Sequence, residues 1–130
     1  MDISAGLFCL ALNIYNESRN DPLQGQLAVA LVTLNRAHHK REKICEIVFE
    51  QNQFSWTNLP NWAPREKKAW LRSIKYAKQS WKIQDFTCGA THFHAWYVYP
   101  KWAGNLTFVG RYGSHLFYKK GAVKCPIAAQ

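Results

Sequence analysis

The sequence predicts an α+β fold: a mainly helical body with a small antiparallel sheet at its C-terminal end. Three observations carry this. Apolar residues recur at helical spacing up to about residue 82, aromatic and β-prone residues replace that rhythm from Cys88 onward, and glycine and proline then divide the chain into short strands. At 130 residues and 15.1 kDa the chain is read as one domain, 1–130, long enough for a single core. A hydrophobic fraction of 48% with 19% charged residues excludes a disordered chain.

Leu7, Leu10, Ala11 and Ile14 fall on one helical face and predict a first helix from about Ser4 to Asn16. Glu17 closes that segment, and the polar turn Ser18-Arg19-Asn20-Asp21 follows it. Asp21 reads as an N-cap, Pro22 suits a first helical position, and Gln24 completes a capping box. The helix that follows, Leu23 to about Ala37, is apolar on more than one face and is expected to be the central, buried one. His38 to Lys43 form a solvated basic turn, and a short helix covers about Ile44 to Phe49. The loop Gln51-Asn52-Gln53-Phe54-Ser55-Trp56 is polar and aromatic. Pro64 is expected to start a helix to about Lys82, with Trp70, Ile74, Ala77 and Trp81 inside and Lys68, Arg72 and Lys75 outside. Thr91–Tyr99, Leu106–Val109 and Ser114–Tyr118 read as strands, broken by Pro100 and Gly104 and then by Gly110 and Gly113. There are no repeats, linkers or low-complexity tracts.

Seventeen Lys+Arg against eight Asp+Glu give a net charge of +9. That balance implies an acidic partner: nucleic acid, an anionic membrane, or an anionic polymer such as bacterial cell wall. Aromatic residues make up 15% of the chain, six of them Trp, which favours a surface that stacks on flat rings or sugars. Cys9, Cys45, Cys88 and Cys125 are widely spaced, so neither a zinc framework nor a dense disulfide scaffold is indicated, and reduced, mostly buried thiols are expected. The N-terminus carries Asp2 in place of the basic residues of a secretory signal, and no apolar run is long enough to cross a membrane. The expectation is a monomer, made in a cytoplasm without a signal peptide and without stable membrane insertion, which another agent must deliver to any outside target.

Three groups offer chemistry. Glu17 lies at the mouth of a turn between two core helices; partial burial there would raise its pKa until it could donate a proton as a general acid. The plainer alternative is a helix-terminal glutamate bonded to backbone or to Arg19. Gln53, Ser55 and Trp56 offer an amide, a hydroxyl and a ring suited to sugar hydroxyls and acetamido groups, or else they form an ordinary loop anchored by Phe54. Thr91, His92 and His94 lie in a predicted strand, where residues two apart share a face. Two histidines on one face could ligate a metal with His115 or Cys88, or could line a cleft with polar neighbours; no metal and no cofactor is the reading adopted.

In order along the chain, Asn13-Ile14-Tyr15-Asn16-Glu17-Ser18-Arg19, Pro22, Gly25 to Ala30, Leu34-Asn35-Arg36, Gln53-Phe54-Ser55, Gly89 to His94, Pro100, Trp102, Gly110 and His115 to Tyr118 resemble the blocks of the SleB/CwlJ-type cell-wall hydrolases. The resemblance implies a lysozyme-like fold, peptidoglycan as the partner, and Glu17 at the family's catalytic glutamate. Gln53, Ser55, Trp56, Thr91, His92, His94 and His115 are the residues expected to bind substrate. The family usually places Ala-Arg-Gly-Glu after the catalytic residue; here the turn is Ser18-Arg19-Asn20-Asp21, with Asn20 able to take glycine's left-handed conformation. A bare, basic catalytic domain of this kind looks most like a phage endolysin acting on the wall after the membrane is permeabilised.

Hydrolysis with inversion or retention needs a second carboxylate about 5–9.5 Å from the first. The remaining candidates are Asp2, Asp21, Glu42, Glu46, Glu50, Glu66 and Asp85, and none lies in a block like that of Glu17. A single acid fits lytic transglycosylation, with formation of 1,6-anhydro-muramic acid. A muramidase whose water is placed by Ser55 or Thr91 is the alternative. A basic, aromatic-rich nucleic-acid-binding module is a reading of a different class, but no nucleic-acid motif supports it and it leaves Glu17 unexplained.

Overall fold

The structure, a computed structural model, describes residues 4–50 and 53–125. Asp2 and the Gln51-Asn52 pair of the polar loop lie outside the described residues. Helices α1 (Ala5–Ser18), α2 (Leu23–Arg36), α3 (Arg41–Val48) and α4 (Lys67–Ser80) precede strands β1 (His92–Ala95), β2 (Thr107–Tyr112) and β3 (His115–Lys119). The strands form one antiparallel sheet in the order β1-β3-β2. The predicted α+β class, with the sheet at the C-terminal end, is the one observed.

Ser4 caps α1 by accepting a hydrogen bond from the Leu7 N–H at 3.3 Å. Leu10, Ala11, Asn13 and Ile14 are fully buried because α2, α3 and α4 all pack against this helix. A Cβ on Gly6 would come within 2.7 Å of the Arg41 carbonyl oxygen, so glycine is what allows α3 to approach so closely. The centre of the helical body is therefore α1. The expectation that α2 would be central holds in another sense, since α2 is a wall shared by two cores. Ala30 and Leu34 pack into the helical core, whereas Ala28, Val29 and Val32 pack with Ala90 and Phe117 beneath the sheet. The one polar side chain in the middle of α1 is satisfied: Trp56 Nε1 donates to Asn13 Oδ1 at 2.8 Å, and Asn13 Nδ2 donates to Thr33 Oγ1 at 3.1 Å.

The turn between α1 and α2 differs from the predicted one. Asp21 does not cap α2; Pro22 occupies that position without a side-chain bond, and the Gln24 capping box does not form. The Asp21 carboxylate is taken instead by the β2–β3 hairpin, where Ser114 and His115 lie within hydrogen-bonding distance. Asn20 is not left-handed either: among described non-glycine residues, positive φ occurs at His38, His39 and Cys88. Pro64 does not open α4, because the Tyr15 hydroxyl accepts the N–H groups of Arg65 and Glu66 and holds that segment out of the helix. In the sheet, Gly110 lies within β2 at a register shift rather than between strands, and β1 stops at Ala95, where the Val98 N–H turns back to the Ala95 carbonyl.

The cysteines are not thiols. Cys9 is bonded to Cys45 and Cys88 to Cys125. The first bridge staples α1 to α3 and the second holds the C-terminal segment to the turn before β1. Separations of 36 and 37 residues carry no spacing signal, and only the packing of distant segments pairs these side chains. Each closes a loop whose chain entropy is worth roughly 3–4 kcal/mol. Replacing Cys9 and Cys45 together by Ala should therefore lower the urea midpoint without changing the far-ultraviolet circular dichroism of the folded state. An unchanged midpoint would show that the bridge does not constrain the chain.

Candidate active site

A cleft of ≈ 930 Å³ runs between the helical body and the sheet. Glu17 and Arg36 enter it from the helices, Gln53, Ser55 and Asn58 from the loop before α4, and Thr91, His92 and His94 from β1 and its approach. Pro100 and Trp102 contribute from the segment after β1, and His115 from β3.

Glu17 occupies the last turn of α1, half-buried against the cleft. Burial pushes its carboxyl pKa from 4.5 up to about 7. The alternative partner, Arg19, is engaged elsewhere. It pairs with Glu66, donates to the Tyr15 carbonyl at 3.2 Å, and lies 4.5 Å from the centroid of the Tyr15 ring. Arg19 is therefore not available to draw the Glu17 pKa back down, and a pKa of about 7 lets Glu17 donate a proton near neutral pH.

The cleft histidines are held in fixed orientations. Burial, followed by the positive charge of Arg36, holds His92 below the ordinary histidine value; its Nδ1 is 2.9 Å from the Thr91 hydroxyl and its ring lies against Trp102. His94 donates from Nδ1 to the Ala95 carbonyl at 2.7 Å, and its Nε2 is hydrogen-bonded to the Tyr118 hydroxyl at 2.8 Å. His115 is also held low, since burial outweighs the opposing pull of Asp21. Its contact with Asp21 at 3.2 Å is thus a hydrogen bond from Nδ1–H, and the second carboxylate oxygen accepts from Ser114 at 2.8 Å. Both ring nitrogens of His94 are engaged and Cys88 is in a disulfide, and no group of three His, Cys, Asp or Glu converges among the described residues.

The two strand histidines reach the cleft together, as alternation along a strand requires. Gln53, Ser55, Thr91 and His115 also line it. Trp56 does not. It is 5% exposed and bonded to Asn13 in the helical core, because its one N–H donor finds a buried acceptor there. The most consequential residue missing from the predicted site residues is Arg36. Its guanidinium donates to Gln53 Oε1 at 2.6 Å and to the Thr91 carbonyl at 3.2 Å, clamping the loop and the start of β1 onto α2. A cation directly after a buried apolar run was the available signal. Asp21, Trp102 and Tyr118 were visible as residues but not as partners of histidines.

Asp21→Asn separates a tether from a cap. Asn caps a helix about as well as Asp, so a capping role predicts no change. Leaving one acceptor oxygen where Ser114 and His115 now use two, and removing the charge beside His115, instead predicts about 1–3 kcal/mol of destabilisation in urea and a still lower His115 pKa by NMR titration, since Asp21 is the group that raises it.

Residues 20–118 match the Cell Wall Hydrolase family. The match begins three residues after Glu17. Two solved structures are similar over almost the whole chain. One is the catalytic domain of the germination-specific lytic transglycosylase SleB from Bacillus anthracis, at 25% identity and a TM-score of 0.69, covering 90% of this chain and 97% of that one. The other is the catalytic domain of the Bacillus cereus SleB protein, at 26% identity and a TM-score of 0.67, covering 91% and 93%. Compared by sequence with curated proteins, the chain has no significant match. By its matched residues and by its lysozyme-like arrangement of four helices and a three-stranded sheet, the chain belongs to the cell wall hydrolase family.

Proposed function

We propose that the protein cleaves the bond between N-acetylmuramic acid and N-acetylglucosamine in peptidoglycan as a lytic transglycosylase, with Glu17 carrying both proton transfers. One observation supports this above others: among the described residues, Glu17 is the sole carboxylate lining the cleft. Asp21 is committed to Ser114 and His115, and Asp85 accepts from Asn35, Thr87 and Gly89. Glu66 pairs with Arg19, Glu50 with Arg36 and Glu46 with Lys43, all at the surface, and Glu42 is exposed. The similar Bacillus anthracis protein is a lytic transglycosylase, which points the same way.

In this mechanism protonated Glu17 donates to the glycosidic oxygen as its bond to muramyl C1 breaks. The resulting carboxylate takes the proton from the muramyl C6 hydroxyl, and O6 bonds to C1. The 1,6-anhydro product forms, the acid is regenerated, and no water enters. A carboxyl with a pKa of about 7 is matched to both halves, since near neutrality it gives and accepts a proton with little driving force lost either way. His92 and His94, held against Trp102, supply a polar and aromatic wall for sugar rings.

The biological setting that fits is an endolysin releasing a bacteriophage from its host, acting in the periplasm once the membrane is permeabilised. A net charge of +9 favours an anionic wall. Two disulfides suit an oxidising compartment. No helix among the described residues is long and apolar enough to cross a membrane.

Glu17→Gln should fold and lose about 10²–10⁴-fold in wall-degrading rate. The wild-type rate should fall above pH 7, where the acid is ionised. Stability carries the same signature. With the folded pKa about 7 and the ordinary value 4.5, the folded state binds the additional proton between them, so stability falls as pH rises across that window. Glu17→Gln lacks this loss, and its thermal midpoint should gain on wild type from pH 4.5 to 7 and then run parallel. A mutant that keeps half the activity would end the assignment.

Mass spectrometry of digested sacculi should find 1,6-anhydro-muramic ends. Reducing muramic ends as the main product would identify water as the nucleophile and return the assignment to a muramidase.

A further inference from the structure

After β1 the chain turns through four consecutive apolar or aromatic residues that the core does not take. Trp96 is 50% exposed, Tyr97 69%, Val98 45% and Tyr99 88%. Scattered surface apolar residues need no explanation, but a contiguous run beside a cleft marks a binding surface. Tyr97 and Val98 also line the cleft that contains Glu17, whereas Trp96 and Tyr99 do not. Trp96 is a brace: the Arg111 guanidinium carbon lies 5.7 Å from its ring centroid, and the Tyr97 ring meets it at 5.6 Å and 87°. This edge-on contact orients Tyr97 while leaving most of that ring open.

We propose that Tyr97 is the stacking platform of a distal sugar subsite, holding a glycan residue beyond the disaccharide at the scissile bond. The proposal rests on the glycan-cleaving reading above and adds which part of the strand is gripped and by what. A pyranose presents a flat face of C–H groups ringed by hydroxyls. A fixed aromatic ring with a phenolic edge matches both features, burying apolar surface at small entropic cost. At ≈ 930 Å³ the cleft is near the upper end of the about 300–1,000 Å³ usual for small-molecule pockets, as an extended polymer requires. The competing occupant of an exposed aromatic run is a bilayer interface. Membrane binding would use the most exposed ring, Tyr99, at least as much as Tyr97, while a subsite continuous with the cleft uses Tyr97 and not Tyr99.

Binding of purified, uncrosslinked glycan chains of several disaccharides to Glu17→Gln protein, measured by calorimetry, tests this without turnover. Adding Tyr97→Ala should weaken binding roughly three- to tenfold, Tyr97→Trp should restore it, and Tyr99→Ala should stay within about twofold. A single disaccharide should bind all four proteins alike, because it does not reach the platform. Equal affinity of the Tyr97→Ala and parent proteins for long chains overturns the subsite. Parallel losses for Tyr97→Ala and Tyr99→Ala, matched by loss of binding to vesicles of anionic phospholipid, overturn it in favour of a membrane surface. Failure of the Glu17→Gln protein itself to bind any glycan would refute the glycan-cleaving reading, and the subsite with it.

Discussion

The placement of the sheet relative to Glu17 depends on one buried carboxylate. Asp21, four residues after Glu17, reaches from the α1–α2 turn to the β2–β3 hairpin and accepts from Ser114 and His115. The fit leaves no spare volume. A Cβ on Gly113 would stand 2.9 Å from the Asp21 carboxylate, and one on Gly25 would stand 3.1 Å from both Asp21 and Gly113. Gly113 also has φ of +62°, a conformation glycine adopts without strain. Through this contact the turn that follows the catalytic candidate and the strand that carries His115 move as one unit, so the two walls of the cleft keep their separation.

The remaining joints work to the same end. Because α2 presents Ala28, Val29 and Val32 to the sheet and Ala30 and Leu34 to the helices, neither layer can shift without opening a core. Arg36 then closes the C-terminal end of α2, bonding to Gln53 on one side and to the Thr91 carbonyl on the other. Both ends of this helix are thereby tied across the cleft by a charged group with part-buried partners, an arrangement that favours a fixed geometry over added stability. The two disulfides act outside the cleft, bracing α1 against α3 and the C-terminal segment against the approach to β1.

Electrostatically the cleft contrasts with the surface around it. The molecule is strongly basic, yet Arg19, two residues after Glu17, and Arg36, on the cleft wall, are engaged by other groups: Arg19 by Glu66 and Tyr15, Arg36 by Gln53, Thr91 and Glu50. The cleft histidines His92 and His115 are held neutral by burial. Desolvation thus acts on Glu17 without a compensating charge, and this keeps a carboxylic acid protonated near pH 7. Among the described residues the one arginine on the cleft wall, Arg36, is held by Gln53, Thr91 and Glu50, and the burial of Glu17 goes uncompensated.

Periodicity and turn chemistry in the chain determined that it would be α+β, that Leu10 and Ile14 would be core, that His92 and His94 would share a face, and that Glu17 would lie at a helix end facing a gap. These are local consequences of 3.6- and 2-residue repeats, and a sequence carries them directly. Tertiary structure alone decided the rest. Asp21 had the grammar of an N-cap, but a hairpin more than ninety residues away offered its carboxylate a pair of donors. Trp56 had the look of a sugar-binding ring, but Asn13 offered its N–H a buried acceptor. The cysteines, spaced like unrelated thiols, met in pairs only when helices and tail were packed. In each case a polar or reactive group had several acceptable local partners, and burial selected the distant one because an unsatisfied group in the interior costs more than any local bond it gives up.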